Sequence, residues 1–492
     1  MGTVRKSILL SAADKYFSQM LLVVTTMVMA RTLTPVETGL YVVANSVLML
    51  ADNFRTFGVG IYVVQTPELR PATLRSAFTV TFLLSLAMMA AILATADRIA
   101  AFYGAAEIGH LLRLAALGFL VVPFATPIVA LLQRELDFRR LALLNAAAAL
   151  TSSGVTMALG IAGFGPASYV WGFLASGVVL SLMAFAARPQ AGMFVPSLAE
   201  MRPMLAFGMV SSSVTLVNMA YEMLPRLALG RLLSLQAVGI YARAVTVCQL
   251  PDRALSSALQ PVVLPALAAR ARDKGDLRSS YLRSHALMSA LHWPMLVMLA
   301  LLADPVVWVM LGPQWIEAAP LVRMIALGMM ALAPAFLTFP VLVAAGRIRD
   351  TLWSSLIALP PSVLLVMVAG TISLEAVAAS TFVLAPFQMA VAFAFVRRAI
   401  GVTWQEMATA SRDSAVLAGA TALVPVAVVA ASGQGFALGW LPCALAIAGG
   451  ALGWGVALRL VRHPLLDEIL ALWRSAAGLA GRRGLAPVAG VE

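Results

Sequence analysis

The sequence has little charge: 11% of its 492 residues are Asp, Glu, Lys or Arg, and 61% are hydrophobic. Soluble domains contain about 45–50% apolar and about 25% charged residues, so this composition excludes a soluble globular protein. Apolar runs of about 20 residues recur along the chain, and each is long enough to cross about 30 Å of hydrocarbon. The sequence therefore predicts an all-α polytopic membrane protein.

Cysteine and histidine are also scarce, with two and four residues. Cys248 and Cys443 lie inside apolar runs, which predicts buried thiols and neither a disulfide nor a metal site. His285 and His292 share a helical face without a carboxylate beside them, so we interpret them as residues at helix interfaces. The chain has no Gly-x-x-x-x-Gly-Lys loop, which excludes ATP hydrolysis by that route. We expect no metal and no cofactor.

A stretch of eleven residues occurs twice without a gap. Arg31-Thr-Leu-Thr-Pro-Val-Glu-Thr-Gly-Leu-Tyr41 is matched by Arg231-Leu-Leu-Ser-Leu-Gln-Ala-Val-Gly-Ile-Tyr241. Further correspondences follow with a slowly growing offset: Asp52 with Asp252, Ala96-Asp97 with Ala303-Asp304, Leu112-Arg113 with Val322-Arg323, and Gly118 with Gly328. Self-similarity over this length predicts a duplicated architecture.

Hydropathy predicts about fourteen membrane spans. They cover roughly residues 8–30, 38–64, 76–96, 113–133, 141–163, 166–187, 203–230, 237–264, 285–303, 318–345, 351–371, 374–396, 414–431 and 438–458. Arginine is concentrated in alternate loops, which are cytoplasmic if the N-terminus is inside. We therefore expect a multi-pass protein of the bacterial inner membrane with both termini in the cytoplasm.

The repeat divides these spans into two groups of six and a remaining pair. An even number of helices in each copy predicts a parallel repeat, with its axis along the membrane normal. The predicted divisions are an N-terminal six-helix lobe, a cytoplasmic inter-lobe loop, a C-terminal six-helix lobe, two additional transmembrane helices and a cytoplasmic tail, at residues 1–187, 188–202, 203–400, 401–460 and 461–492.

Charged residues inside the predicted spans are the candidate functional residues, because each costs about 2.5–3.5 kcal/mol at the bilayer centre unless it faces protein or water. A guanidinium fork pairs with phosphate oxygens, so Arg55, Arg226 and Arg253 are candidates for holding a phosphate or pyrophosphate, with Asn53 beside them. No residue is assigned a catalytic role. The candidates for binding a coupling H⁺ or Na⁺ are the acidic residues Asp14, Asp52, Glu222 and Asp252.

For two pairs of these residues, the spacing in the sequence also fits a role in stability alone. Asp52 and Arg55 are three residues apart, and Glu222 and Arg226 are four apart, so each pair lies on one helical face. Such pairs are also typical of intrahelical neutralisation that serves stability alone. Pro225 is expected to kink or unwind its helix beside Arg226.

Several segments carry a family resemblance together: Ala30–Tyr41, Leu132–Arg139, Gly239–Ala244 with Leu250-Pro251, and Val309–Trp315. By them the chain resembles the polysaccharide transporter family, the Wzx-type flippases of lipid-linked oligosaccharides, within the multidrug/oligosaccharidyl-lipid/polysaccharide (MOP) superfamily. The resemblance covers roughly residues 1–400. It implies a V-shaped, two-lobed bundle, similar to the MATE transporters, that opens alternately to either face around a cationic central cavity.

The resemblance also implies a substrate and partners. The substrate is an undecaprenyl-pyrophosphate-linked oligosaccharide repeat unit, moved from the cytoplasmic to the periplasmic leaflet for exopolysaccharide, capsule or O-antigen synthesis. The implied partners are membrane lipids, a polysaccharide polymerase and chain-length or export proteins; nucleic acid is not expected.

Two alternatives remain at this point. An ion-coupled multidrug exporter of the same fold predicts a cavity dominated by acids and aromatics, and the even mixture with arginine disfavours it. An integral-membrane polymerase or ligase predicts a long periplasmic loop with paired acidic or basic residues. The sequence lacks such a loop, so we do not expect an enzyme.

Overall fold

The computed structural model describes residues 2–470 except 57, 273–275 and 434, and within these residues the chain is helical without strands. The helices of the first sequence repeat are α1 Gly2–Thr32, α2 Pro35–Thr56, α3 Val59–Gln65, α4 Pro71–Tyr103, α5 Ala106–Ala116, α6 Gly118–Val121, α7 Thr126–Arg134, α8 Phe138–Ile161 and α9 Ala167–Ala187. Those of the second are α10 Met201–Leu232, α11 Leu235–Arg272, α12 Leu277–Leu301, α13 Ala303–Met310, α14 Ala318–Met329, α15 Thr338–Ala344, α16 Ile348–Gly370, α17 Leu374–Ala379 and α18 Thr381–Ile400. Two further helices follow, α19 Trp404–Ala431 and α20 Trp440–Leu460, and residues 464–470 are helical as well.

Helical segments coincide with every predicted span. Within the described residues, 11 of them are long and apolar enough to cross a membrane, which makes the chain a multi-pass membrane protein. The other three predicted spans fall on α1, α10 and α11. The all-helical fold is therefore confirmed, and the count of fourteen stays a prediction.

The duplicated stretch forms the same turn in both repeats, between α1 and α2 and between α10 and α11. In the first copy, Thr34 and Glu37 form a capping box: the Glu37 carboxylate accepts from the Thr34 N–H at 2.8 Å, and the Thr34 hydroxyl accepts from the Glu37 N–H at 3.3 Å. In the second copy, the Ser234 hydroxyl accepts from the Ala237 N–H at 3.0 Å. A Thr or Ser N-cap thus starts the second helix of each repeat.

The charged positions matched by the repeat also form matching ion pairs. Arg113 on α5 bonds Asp97 on α4 at 2.5 Å. Arg323 on α14 bonds Asp304 on α13 in the same way. These are the residues that the sequence comparison placed in register, so the structure supports that register through α14.

The two repeats touch through reciprocal glycine contacts between α2 and α11. A Cβ atom added to Gly39 would lie 1.8 Å from the carbonyl oxygen of Leu235, and one added to Gly239 would lie 2.0 Å from that of Pro35. Small residues let helix backbones approach this closely. The duplicated stretch is therefore also the place where the first and second copies meet, and we call this contact the glycine seam.

A second contact closes the same end of the bundle. Arg31 donates to the carbonyl oxygen of Val309 at 2.6 Å, and the Trp315 indole donates to that of Ala30 at 2.6 Å. In a further contact between the repeats, the Tyr103 hydroxyl of the first repeat donates to the carbonyl oxygen of Leu227 in the second at 2.9 Å. Carbonyls near the ends of α1 and α10 are thus satisfied by the other repeat.

An interior proline of the second repeat is compensated by a tryptophan from a neighbouring helix. Pro294 has no N–H for the Ala290 carbonyl one turn earlier, and that carbonyl accepts from the Trp454 indole of α20 at 3.0 Å. The neighbouring Trp293 indole donates to the carbonyl oxygen of Met330 at 2.8 Å. Helix α20 is therefore tied to α12 at a position where the α12 backbone lacks its own hydrogen bond.

Trp454→Phe should destabilise the protein by about 1–3 kcal/mol, because the Ala290 carbonyl loses its donor where water is scarce. Trp353→Phe is the matched control, since Trp353 is 58% exposed on the bundle surface. We expect it to change stability by less than about 0.5 kcal/mol. Melting temperatures in detergent test the difference; equal shifts for the two variants would refute the role of the indole hydrogen bond.

Pro225 lies inside α10 without unwinding it. The helix continues through it as a single α-helix from Met201 to Leu232, so of the two expected effects unwinding does not occur and the kink stays a prediction. One proline removes one backbone hydrogen bond, and the helix on either side keeps the others.

The chain turns after α20 at His463, which is 1% exposed and whose Nδ1 accepts from the Leu465 N–H at 3.1 Å. Burial lowers the pKa of His463 from its ordinary value of 6.5, and Asp413 partly opposes this. The unfolded chain therefore binds a proton more readily than the folded one, so stability is full above pH 6.5 and falls as the pH drops below it.

His463→Asn should reduce this acid sensitivity, because asparagine keeps a side-chain acceptor for the Leu465 N–H and does not titrate. We expect the melting temperature of the variant to fall less than that of the wild type between pH 7 and pH 5. Parallel declines in the two proteins would show that His463 does not contribute.

Candidate functional site

The described candidate residues lie on three helices, α2, α10 and α11, which pack against one another. Asn53 on α2 contacts α10 directly, with its amide nitrogen 2.9 Å from the Met219 sulfur. Glu222 lies one turn beyond Met219 on the same helix. The structure thus places Asn53 of the first repeat at the contact between α2 and α10, which we call the inter-repeat boundary. The side chain of Asp14 lies outside the described residues.

The structure contains both intrahelical ion pairs that the residue spacing allows. Asp52 accepts two hydrogen bonds from Arg55, at 2.6 and 2.9 Å, and Glu222 accepts from Arg226 at 3.1 Å. The Arg55 side chain is 5% exposed and that of Arg226 is 19% exposed. Each pair carries no net charge, so these two arginines by themselves do not make the boundary cationic.

Helix α11 carries two arginines whose hydrogen-bond partners are neutral. Arg253 donates to the Gln249 amide oxygen at 3.0 Å. Arg243, which is 7% exposed, donates to the Tyr169 hydroxyl at 3.1 Å, with its guanidinium 5.5 Å from the centre of the Trp315 ring. Neither forms an ion pair within the described part of the chain. Unlike Arg55 and Arg226, these two arginines therefore have no carboxylate partner among the described residues.

Asp252 contacts a residue that the sequence analysis did not assign to the site. Its Oδ1 lies 2.5 Å from Nε2 of His292 on α12, and the two side chains are 16% and 1% exposed. The interpretation of His292 as a histidine without a neighbouring carboxylate is therefore wrong. His285 bonds Ser411 on α19 at 2.9 Å, as an interface residue would.

A mainly apolar cavity of about 430 Å³ with several polar side chains in its walls lies inside the first repeat, between α1, α2, α8 and α9. The Asp52 carboxylate lines it and its side chain is 47% exposed. Asn45, Ser152 and Tyr169 are among its other polar walls. Asp52 is thus both the ion-pair partner of Arg55 and the carboxylate that lines this cavity.

An apolar groove runs between the second repeat and α20. One section of about 700 Å³ is lined by residues such as Leu250, Met295 and Ile447. A second section of about 550 Å³ shares Leu302, Val306 and Ile447 with the first and is also lined by Cys443. The groove begins beside α11, one turn of which also carries Asp252 and Arg253. Of the two cysteines predicted to be buried, Cys248 is buried, whereas Cys443 is half-buried in the wall of this groove.

No group of three His, Cys, Asp or Glu side chains that could hold a metal ion occurs within the described ranges.

Sequence comparisons with known proteins indicate the family to which this chain is similar. A family profile described as "polysaccharide biosynthesis protein" matches residues 28–320, which include α2, α10 and α11. The succinoglycan biosynthesis transport protein ExoT of Rhizobium meliloti is 26% identical over 361 residues, 72% of each chain. The lipopolysaccharide biosynthesis protein WzxC of Escherichia coli is 24% identical over 302 residues, 61% of each chain.

Comparison with solved structures identifies proteins of similar fold. The lipid II flippase MurJ, in an inward closed conformation, has a TM-score of 0.75 at 14% identity, covering 93% of this chain and 100% of that one. An inward-facing multidrug resistance MATE transporter of the MOP superfamily has a TM-score of 0.56 at 17% identity, covering 80% and 94%. These similarities confirm the predicted fold class.

Proposed function

Because the chain belongs to the polysaccharide biosynthesis protein family, we propose that it is a flippase for a lipid-linked oligosaccharide. The proposed substrate is an undecaprenyl-pyrophosphate-linked repeat unit, moved from the cytoplasmic to the periplasmic leaflet of a bacterial inner membrane. The observation that carries the proposal is the family match, which covers the contacting helices α2, α10 and α11, on which the charged candidate residues lie.

The neutral partners of the α11 arginines support a role in holding the pyrophosphate. A guanidinium already bonded to a carboxylate must lose that bond before it binds a phosphate, whereas Arg253 exchanges only an amide. Arg226 is partly exposed beside Glu222 and supplies a second contact in this proposal. Arg55, almost fully buried against Asp52, positions that acid and Asn53 beside it.

The apolar groove suits the lipid carrier. Its walls are formed by α11, α12 and α20, and it begins next to the helix turn that carries Arg253. A polyprenyl chain needs an apolar surface beside the bound pyrophosphate, because its methylene groups are stabilised by contact with other apolar atoms. We assign the groove to the tail and the α11 arginines to the pyrophosphate.

The glycine seam supports an alternating-access cycle. It closes the end of the bundle that contains residues 31–39 and 231–239, which is the periplasmic end if both termini are cytoplasmic. In this proposal the two repeats separate at the seam when the substrate is released outward.

The test is a strain that lacks this gene. Its undecaprenyl-linked oligosaccharides are extracted and weighed by mass spectrometry, and its surface polysaccharide and drug tolerance are scored on the same cells. We expect a lipid-linked repeat unit to accumulate, surface polysaccharide to be lost and drug tolerance to stay unchanged. Normal lipid pools together with increased drug sensitivity would refute the flippase.

A second candidate is an exporter of small cations, favoured by the first-repeat cavity. At about 430 Å³ the cavity has the size of a small-molecule site, and Asp52 places a half-exposed carboxylate in it. This candidate predicts normal lipid pools and increased drug sensitivity in the deletion strain, with drug tolerance restored by the wild-type gene and not by Asp52→Asn.

A further inference from the structure

A pocket of about 580 Å³ lies at the end of the bundle that the glycine seam closes, and we call it the seam pocket. Its walls come from both repeats: Phe102 and Tyr103 end α4 of the first, and Arg231 ends α10 of the second. Leu235, whose carbonyl packs against Gly39 in the seam, also lines it. The pocket has the size of a small-molecule site and spans the two repeats beside their close contact.

In the other copy of the duplicated stretch, two side chains occupy the equivalent position. Gln314 donates to the carbonyl oxygen of Leu33 at 2.9 Å, and the fully buried Trp315 indole donates to that of Ala30 at 2.6 Å. Both carbonyls lie at the end of α1. A ring and an amide from the second repeat thus cover the end of the first helix of the first repeat.

The length of the chain explains why the two copies differ. Asp97 and Arg113 are 16 residues apart, whereas their counterparts Asp304 and Arg323 are 19 apart. The longer segment contains the turn Pro313–Trp315, which supplies the amide and the indole. The shorter one contains no Trp, Asn or Gln between its two matched residues. The first repeat therefore has no equivalent side chains to cover the end of α10, and the seam pocket lies there.

Backbone acceptors line the pocket as a result. The carbonyls that correspond to those of Ala30 and Leu33 belong to Gly230 and Leu233, and both of these residues are in its walls. Within the described part of the chain, no side chain donates to either carbonyl. A ligand with O–H or N–H groups can therefore make the hydrogen bonds that Gln314 makes in the other copy.

Arg231 differs from its counterpart Arg31 in its hydrogen bonds. Arg31 donates to the carbonyl oxygen of Met27, one turn earlier, at 3.2 Å. The corresponding carbonyl, that of Leu227, accepts from the Tyr103 hydroxyl instead. Among the described residues Arg231 has neither a hydrogen-bond partner nor a carboxylate partner. Its guanidinium N–H groups are therefore free to bind a ligand.

An aromatic ring lies beside this guanidinium. The centre of the Phe102 ring is 5.6 Å from the guanidinium carbon of Arg231, and Phe102 is 58% exposed. None of the described residues that line the pocket is acidic. A sugar ring packs its C–H face against an aromatic ring, and a guanidinium fork pairs with a carboxylate. The walls therefore match the chemistry of a sugar that carries a carboxylate, such as a uronic acid.

We propose that the seam pocket binds a carboxylate-bearing saccharide and that the bound saccharide holds the two repeats together. Its ring packs on Phe102, its carboxylate pairs with Arg231, and its hydroxyls bond the carbonyls at the end of α10. Because both repeats form the walls, the ligand binds the closed bundle better than an open one and shifts the equilibrium towards it. The inference rests on the proposed function for the origin of the saccharide: the exported glycan slows its own transport.

The first experiment measures binding. Glucuronate, glucose and acetate are titrated into the purified full-length protein in lipid nanodiscs, and binding is followed by ligand-observed NMR. We expect glucuronate to bind at least about tenfold more tightly than glucose or acetate, because each of these lacks one set of contacts. Arg231→Gln should weaken glucuronate binding about tenfold and leave glucose binding unchanged. The control Arg113→Gln, on the adjoining helix α5, should bind like the wild type.

The second experiment measures closure. Spin labels are attached to Glu107→Cys and Glu317→Cys, matched and exposed positions of the two repeats, in a Cys443→Ala background. Pulsed electron paramagnetic resonance then gives the distribution of label separations. We expect glucuronate to increase the population with the shorter separation. Arg231→Gln should remove this response at the same glucuronate concentration, and glucose should produce none.

The outcomes distinguish this inference from the proposed function. Equal binding of glucuronate by the wild type and Arg231→Gln, or acetate binding as tight as that of glucuronate, would overturn the saccharide site. Glucuronate binding without a change in label separation would overturn its effect on closure. Neither result touches the flippase, whereas normal lipid pools in the deletion strain would overturn the flippase and leave glucuronate binding in place.

Discussion

Arg253→Ala should lower transport of the lipid-linked substrate about 10- to 100-fold, the largest effect we expect from a single side chain of the candidate site. A hydrogen bond to a charged group contributes about 1.5–3 kcal/mol, which corresponds to this range in rate or affinity. In the wild type the guanidinium bonds the neutral Gln249, so removing it leaves no unpaired carboxylate behind. The loss should therefore appear in transport rather than in folding.

Each variant gene replaces the wild-type gene in a strain that has no other copy. Two quantities are then compared with the wild type: the lipid-linked repeat unit that accumulates and the surface polysaccharide that remains. Arg253→Lys should retain part of the activity, because lysine keeps the charge and loses the planar fork. Arg113→Ala, which removes an exposed arginine at the end of the bundle, is the control and should behave as wild type. Full activity of Arg253→Ala at a normal protein level would refute its role in binding pyrophosphate.

Gly39→Ala and Gly239→Ala should each destabilise the closed bundle by about 1–3 kcal/mol or more, because each adds a methyl group against a backbone carbonyl of the other repeat. The added Cβ atoms would lie 1.8 Å and 2.0 Å from those oxygens, and backbone cannot move aside as a side chain can. Helices α2 and α11 must separate to accept either change. Melting temperatures in detergent measure the cost.

The double variant tests whether the glycine seam acts as a unit. Once one methyl group has separated the helices, the second meets less resistance, so the combined loss should be smaller than the sum of the two. Gly419→Ala on α19 is the control, because its Cβ meets nothing within 4 Å. It should be neutral or stabilising by up to about 1 kcal/mol. Additive losses, or losses no larger than the control's, would contradict a shared close contact.

Much of the fold can be predicted from the sequence for identifiable reasons. Bilayer thickness sets the length of a span, so hydropathy locates the helices, and the gap-free match from Arg31 to Tyr41 indicates duplication. The ion pairs Arg113–Asp97 and Arg323–Asp304 show that the matched positions are also equivalent in space. The division into lobes at residues 188–202 and the membrane orientation stay predictions.

The site is less predictable, because its contacts join helices that are distant in the sequence. The partners Asp52–Arg55 and Glu222–Arg226 follow from helical spacing, and the structure forms both. His292 is 40 residues from Asp252, and their contact depends on how α12 is rotated against α11. Side-chain packing along the whole helix sets that rotation, and no local pattern reports it. The sequence contains one indication of this contact. With the offset that relates Asp97 to Asp304, His292 of the second repeat stands where the first repeat has Ser85.

The hydrogen bond between Trp454 and Ala290 also constrains how the protein is made. Its partners are 164 residues apart, whereas the Trp293–Met330 bond spans 37. The partners of the Trp293–Met330 bond are synthesised soon after one another, but the Ala290 carbonyl has no indole donor until α20 is synthesised. During that interval a growing chain has an unsatisfied carbonyl in a medium where such a group costs several kcal/mol. Chains that stop before α20 keep this defect, which gives membrane proteases and insertases a physical means to distinguish unfinished molecules from complete ones.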